Sequence, residues 1–289
     1  MLRLFTDTDT DITPEVAAEY GYSLISMPYA IDGKLVFPYE DFRIFDDHAF
    51  YDKLRGGVLP TTSALGEEKY AEIFEPVFAA GDDILYVHFS EAMTATFDGM
   101  RRALDKLYVK YPGRKLTEID TRGITLLSYA IVREIGEMAK KGLLLEEIVE
   151  RAKKICDEWA VYFFADDLRF FKRSGRVGGL AATMGTLLGV RPIIYISKEG
   201  KMESIGKERG RQKALEKLVE YVKTLGDDAG SHRIYVGHTD APEVAGQLEE
   251  MLRGLLGKEI DIERVPVNPT AGSHCGPDTV GVCFHAVHR

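Results

Sequence analysis

The chain has 289 residues, 45% of them hydrophobic and 29% charged, which excludes global disorder and fits two domains better than one. Its 37 basic and 46 acidic residues leave a net charge of −9. That charge argues against nucleic acid as a partner and against loose electrostatic docking on acidic membranes.

Three cysteines, Cys156, Cys275 and Cys283, are too few for a disulfide framework and suit a reducing compartment. The start, Met1-Leu2-Arg3-Leu4-Phe5-Thr6-Asp7, carries no apolar signal core, and no apolar run approaches bilayer length. A soluble, cytoplasmic protein is expected. In chain order, β-rich runs are predicted at residues 2–6, 23–31, 84–89 and 116–120, with helical patterns at 96–108 and 124–141. Strands alternating with helices predict an α/β layer fold with a mainly parallel sheet. Residues 145–159 give the cleanest helix: Leu145, Ile148, Val149, Ala152, Ile155, Cys156 and Trp159 recur at helical spacing. Cys156 lies on that stripe and reads as a buried small hydrophobe, not a reactive thiol. Strands then follow at 160–165, 190–197, 233–237, 259–266 and 279–287, and helices at 210–224 and 241–256. A domain boundary near residue 158 divides the chain into 1–158 and 159–289.

Dinucleotide and P-loop phosphate cradles, a G-x-S-x-G elbow and an H-E-x-x-H helix are all missing from the sequence. The acidic opening Asp7-Thr8-Asp9-Thr10-Asp11-Ile12-Thr13 directly follows a strand. Carboxylates there could hold Mg²⁺ and attack phosphorus, as in a phosphatase with Asp7 as nucleophile. The commoner use of such residues is turn and cap hydrogen bonding ahead of a helix at Pro14. Two hydroxyl-rich junctions, Pro60-Thr61-Thr62-Ser63-Ala64 and Ser90-Glu91-Ala92-Met93-Thr94-Ala95-Thr96, stand before predicted helices. Helix starts with hydroxyls can hold a carboxylate or phosphate, although capping alone is more frequent. Basic residues gather in a glycine-rich turn at 172–179 and in a run at 207–214, where Arg176 and Arg209 could each offer a fork to an acidic group. The tail Ser273-His274-Cys275-Gly276-Pro277 reads as a turn holding His274 as a hydrogen-bond donor. Cys275, Cys283, His285 and His288 match no zinc spacing, and no metal is expected.

Read together, these segments resemble the DegV family of fatty-acid-binding proteins, which includes the FakB subunits of bacterial fatty acid kinase. Thr6-Asp7-Thr8-Asp9-Thr10-Asp11-Ile12 is similar to the family's T-D-S-T-x-D-L start, and Met27-Pro28-Tyr29 with Ile31-Asp32-Gly33 to its second strand and turn. Pro60-x-Thr62-Ser63 resembles the start of T-S-Q-P-S. Ser90-x-x-Met93-Thr94-x-Thr96-Phe97 resembles S-S-x-L-S-G-T-Y, and Ile119-Asp120-Thr121 resembles V-x-D-S. Leu168-x-x-Phe171-Lys172-x-x-Gly175-Arg176-Val177 is similar to L-x-x-L-K-x-G-G-R-I, and Leu188-Gly189-Val190-Arg191-Pro192-Ile193 to L-G-I-K-P-I. His274-x-Gly276-Pro277-x-x-x-Gly281-Val282 resembles the closing H-x-G-P-G-x-x-G-V. Departures are Ala64-Leu65-Gly66 for Q-P-S, Glu91 for Ser, Ala95 for Gly and Ser174 for Gly.

The resemblance implies an N-terminal three-layer α/β/α domain with a parallel sheet and a C-terminal two-layer α/β domain with a mixed sheet. It implies a buried long-chain fatty acid with its carboxylate near the domain junction. Family carboxylate contacts carry over to Thr62, Thr94 and His274, with Ser63 and Thr96 beside them and Arg176 and Arg209 as supporting basic positions. It implies no catalytic residue and no cofactor on this chain. The partner is a separate dihydroxyacetone-kinase-like fatty acid kinase subunit that converts the bound acid to an acyl phosphate. The segment 168–190, with Phe170, Phe171, Lys172 and Arg173, is a candidate contact for that kinase or, transiently, for a membrane, against the plainer reading that both phenylalanines are core.

Overall fold

The computed structural model describes residues 1–179 and 189–289, so Leu188 of the predicted Leu188–Ile193 motif lies outside the described residues. β1 (Leu2–Asp7) runs through a 3-10 turn (Thr8–Thr10) into α1 (Pro14–Tyr20), and β2 (Tyr22–Ile25) returns parallel to β1. α1 starts where the sequence places it, because Thr13 Oγ1 accepts from Val16 N–H and Pro14 needs no hydrogen-bond acceptor at the first position. A small antiparallel sheet comes next: β3 (Tyr29–Ile31), β4 (Lys34–Val36) and, after α2 (Asp47–Arg55), β5 (Thr61–Thr62). α3 (Glu67–Ala79), β6 (Asp83–His88), α4 (Thr96–Lys110), β7 (Leu116–Asp120), α5 (Leu126–Lys140) and α6 (Leu145–Glu158) follow. The main sheet of this half has the order β2-β1-β6-β7, all parallel.

β8 (Trp159–Phe164) opens a second sheet. α7 (Leu168–Ser174), β9 (Val177–Gly178), β10 (Val190–Ile196), β11 (Met202–Arg209) and α8 (Arg211–Leu225) follow it. Then come β12 (Ile234–His238), α9 (Pro242–Leu256), β13 (Ile262–Pro266), α10 (Pro269–Cys275) and β14 (Val280–His285). Its order is β13-β12-β14-β8-β10-β11-β9, with parallel and antiparallel pairs mixed.

Alternation along the strands decides the layers. Phe5, Ile84 and Tyr86 face α3 and α4, where Tyr70, Phe74, Phe97 and Met100 meet them. Leu85, Val87 and Ile119 face the other way, towards α1, α5 and α6. The N-terminal half is therefore an α/β/α sandwich. In the second half, Phe164, Ile193, Val236 and Val282 pack on Leu218 of α8 and Leu248 of α9. The opposite face, with Val161, Ile194 and Tyr235, joins the same core as α5. That helix lies between the two sheets and is apolar on most sides, with Leu127, Ile131, Val132 and Ile135 all buried. Among the described residues, no helix is long and apolar enough to cross a membrane.

Four segments differ from the sequence reading. The run 23–31 is broken into β2 and β3 by Ser26, Met27 and Pro28. Lys207 to Arg209 end the strand β11 rather than forming a loop. Lys172 to Ser174 close α7 rather than a turn, and His274 lies in the last turn of α10 rather than in a loop. Seven-residue helices carry little periodic signal and are marginal alone, so tertiary contacts decide them. For α10 those contacts are visible. Asn268 caps Ala271 N–H, while Asp11 Oδ1 accepts from Asn268 N at 2.9 Å and from Asn268 Nδ2 at 2.7 Å. Phe170 and Phe171 are fully buried, which matches their core reading.

Candidate functional site

The order β2-β1-β6-β7 places β2 on one side of β1 and β6 on the other. The carboxyl edge between β1 and β6 is therefore the topological switch point, where open α/β sheets bind ligands. Three loops leave that edge: Thr8–Thr10 after β1, the residues from Phe89 to Ala95 after β6, and those from Thr121 to Thr125 after β7. The second sheet lies opposite. A cavity of about 280 Å³ fills the space between them, close to the lower end of the roughly 300–1,000 Å³ of small-molecule pockets.

Its wall is mostly apolar. Met27, Phe89, Met93, Ile124 and Leu126 come from the N-terminal half, and Val161, Phe163, Ile196, Met202 and Val267 from the other. Two glycines keep the floor open. Gly237 and Gly281 are register partners on β12 and β14, and both line the cavity. A Cβ on Gly237 would stand 2.6 Å from Leu126 Cδ1, and one on Gly281 2.7 Å from Phe163 Cβ. We predict that Gly237→Val lowers stability by about 1–3 kcal/mol through overpacking and fills part of the cavity. Thermal denaturation reads the first effect, and an unchanged melting temperature would show that Leu126 moves aside freely.

The polar end is built by four elements. β5 pairs antiparallel with β3, with Thr62 opposite Tyr29. α10 is held against that sheet, because Thr270 Oγ1 donates to Met27 O at 2.7 Å and Tyr51 Oη of α2 donates to Val267 O at 3.0 Å. Thr62 Oγ1 and His274 Nε2 consequently meet at 2.8 Å. Arg176, before β9, donates through Nε to Met93 O at 3.0 Å and through Nη1 to Ser174 O at 2.9 Å. Arg173 donates to Leu59 O and Pro60 O and so ties α7 to the strand carrying Thr62. Burial, with Arg176 and Arg173 nearby, pulls the His274 pKa down to about 4. Its imidazole is neutral at pH 7, with one donor and one acceptor. With Nε2 as the donor to Thr62, the threonine O–H is left to point at an anion.

The predicted site residues separate into three groups. Thr62, Ser63, Thr94, Thr96, Arg176 and His274 all line the cavity. Within that set, Thr96 Oγ1 already accepts from Leu65 N–H at 2.9 Å and lies 3.1 Å from Tyr70 Oη, so it serves the fold. Thr94 Oγ1 accepts from Thr96 N–H at 3.1 Å at the start of α4 and keeps its own O–H for a ligand. Arg209 stands exposed at the end of β11 and does not line the cavity. Glu91 does not line it either, and its carboxylate pairs with Arg101 at 2.8 Å. Ala95 has φ −102, so its backbone does not require glycine.

The three aspartates at the end of β1 and in the turn after it diverge. Asp7 accepts from Asp9 N–H (3.0 Å), Tyr86 Oη (3.1 Å) and Phe89 N–H (3.2 Å), while Asp11 faces Asn268. Burial raises both carboxyls to about 7. Asp9 turns to the cavity. A phosphatase centre would need these groups to converge on one cation. Among the described residues, the three-ligand set that comes within 4.8 Å is instead His48, Asp52 and Asp240, where Arg55 already pairs with both aspartates. Sequence reasoning missed the aromatic and glycine floor contributed by Phe163, Gly237 and Gly281. The glycines inside strand patterns at 237 and 281 were the available signal.

The chain is thus a two-lobed α/β protein with an apolar cavity and one polar end between its sheets. The family model described as uncharacterised proteins of the DegV family matches residues 1–287, and the chain belongs to that family. A DegV domain-containing protein of Clostridium perfringens is 30% identical over 282 residues, covering 97% of this chain and 96% of its own. A solved fatty-acid-binding DegV protein from Thermus thermophilus shares 25% identity with a TM-score of 0.84 and covers 99% of both chains. A stearic-acid-binding protein from Eubacterium ventriosum has the same fold, with 18% identity and a TM-score of 0.86 over 99% of this chain and 98% of its own.

Proposed function

We propose that this protein is a fatty-acid carrier. It holds a long acyl chain in the cavity between its sheets and presents the carboxylate to a separate kinase. The observation that carries this is the pairing of a mostly apolar cavity with a polar end made of Thr62, Thr94, Arg176 and a neutral His274. The fatty-acid-binding relative from Thermus thermophilus supports it. Removing a chain from water stabilises the complex by about 0.8 kcal/mol per buried CH₂. The start of α4 adds a partial positive charge beside Thr94. Such a site needs no nucleophile, metal or cofactor of its own. The dihydroxyacetone-kinase-like subunit would transfer phosphate to the carboxylate, and exposed Lys172 and Arg173 on α7 offer a basic face for that subunit or, briefly, for a membrane surface.

Mass spectrometry of an organic extract of the protein purified from a heterologous host tests the carrier role. One fatty acid per chain is expected, with labelled palmitate or oleate exchanging into the protein. An empty extract with no uptake of either acid would reject it.

A further inference from the structure

The cavity has a second polar group that the head-group site does not use. Asp9 lines the cavity, is 6% exposed, and its Oδ1 has no hydrogen-bond partner. Among the described residues, five other buried side-chain polar atoms lack partners, on Asp11, His88, Thr117, Ser197 and Arg289, and none of those residues lines this cavity. The backbone of Asp9 is fixed at both ends: its N–H donates to Asp7 Oδ1 at 3.0 Å, and its carbonyl accepts from Thr125 N–H at 2.7 Å. Only the side chain is left to act.

Two other hydroxyls of the wall are engaged by the protein. Thr270 donates to Met27 O and Thr279 to Cys275 O. Among the described residues no ion pair reaches Asp9, and Arg176 turns its Nε to Met93 O and its Nη1 to Ser174 O. Burial, with Asp7 and Asp11 alongside, holds the Asp9 carboxyl well above the ordinary range. In the protonated form that burial favours, such a carboxyl offers one donor and one acceptor.

Resting on the carrier reading, we propose that Asp9 reads an alcohol on the acyl chain, so that the preferred ligand is a hydroxylated long-chain acid. An alcohol is the complement of a neutral carboxyl, since each donates one hydrogen bond and accepts one. A plain hydrocarbon chain leaves the carboxyl buried without a partner, whereas the matching hydroxyl satisfies it.

The test is a binding series by calorimetry with stearate and a panel of monohydroxystearates whose hydroxyl sits at successive positions. One regioisomer is expected to bind about tenfold or more tighter than stearate. In Asp9→Leu that preference is lost while stearate binds at least as well as before. Asp9→Asn keeps a donor and an acceptor and retains most of the preference, which keeps the test decisive if the leucine variant does not fold. Equal binding of stearate and every regioisomer would overturn the proposal and leave the carrier reading standing. So would an equal loss of stearate and hydroxystearate in Asp9→Leu, which would assign Asp9 to the head group. If neither stearate nor any regioisomer binds the wild-type protein, the carrier reading itself falls and takes this proposal with it.

Discussion

Replacing His274 with alanine is expected to weaken fatty-acid binding by about 10–100-fold while leaving the fold intact. The estimate follows from one hydrogen bond to a charged group, roughly 1.5–3 kcal/mol. His274 need not touch the carboxylate to matter. Its Nε2 sits 2.8 Å from Thr62 Oγ1, and a neutral ring that donates there turns the threonine O–H outward. Without the ring, that hydroxyl is free to rotate and its donor is no longer aimed. The two residues should then act as a unit, so that Thr62→Ala adds little once His274 is gone. A double-mutant cycle measured with palmitate reads the coupling directly, and residues in contact typically show about 0.5–3 kcal/mol. Additive losses would show that the two side chains meet the ligand independently. Folding should survive because His274 faces the cavity, and the contacts that hold α10 come from Asn268, Asp11, Thr270 and Gly272 packed under Tyr51.

The parts of the fold that were legible in the sequence are those with a repeated local signal. The alternation of apolar strands and amphipathic helices from β1 to α6 marks a parallel layered fold, and the stripe from Leu145 to Trp159 marks α6 to within one residue, Trp159 opening β8 instead. The short elements carry no such repeat. α2, α7 and α10 are fixed by what they touch, and α10 is where this matters, because it carries His274. Its start was written locally, as Asn268 followed by Pro269. What makes it a helix, however, is Asp11, which lies at the opposite end of the chain. Site residues chosen by composition divided according to geometry. Arg209 belongs to a basic run, but its place at the end of β11 leaves it exposed and off the cavity wall. Thr96 looked like an open helix-start hydroxyl, yet Leu65 N–H and Tyr70 occupy it. Asp7, Asp9 and Asp11 read as a single acidic cluster. The 3-10 turn, with Asp11 at φ 58, sends them to three different surroundings. Spacing along a strand end could not show that divergence.

Those same aspartates give the protein an unusual stability profile. Asp7 and Asp11 rise from an ordinary 3.8 to about 7, and Asp9 also lies well above its ordinary value, all chiefly because burial disfavours the charged form. A group raised in the folded state contributes stability that is complete below its unfolded value and is lost as pH climbs through its folded value. His274 acts in the opposite direction. It falls from 6.5 to about 4, so its contribution is complete above pH 6.5 and is lost as pH drops towards 4. His88, pulled down by burial but pulled up more by Glu118, Asp120 and Asp7, ends above its ordinary value and sides with the acids near neutrality. Between pH about 4.5 and 6.5 three raised acids therefore oppose two lowered histidines, His274 and His238, the latter also pulled down by burial, and the folded protein holds more protons than the unfolded chain. Each such proton changes stability by about 1.4 kcal/mol per pH unit. Surface carboxylates with lowered values, such as Asp82 beside Arg3, stay ionised in both states across this window and act only below it. The urea midpoint is thus expected to rise as pH falls from about 7 to about 5, the reverse of ordinary acid behaviour. Asp9→Asn should flatten that slope, since an amide is neutral without a bound proton, and His274→Ala should steepen it by removing one of the opposing groups. A midpoint that drops steadily over the same interval would show that the three carboxyls are ionised in the folded protein.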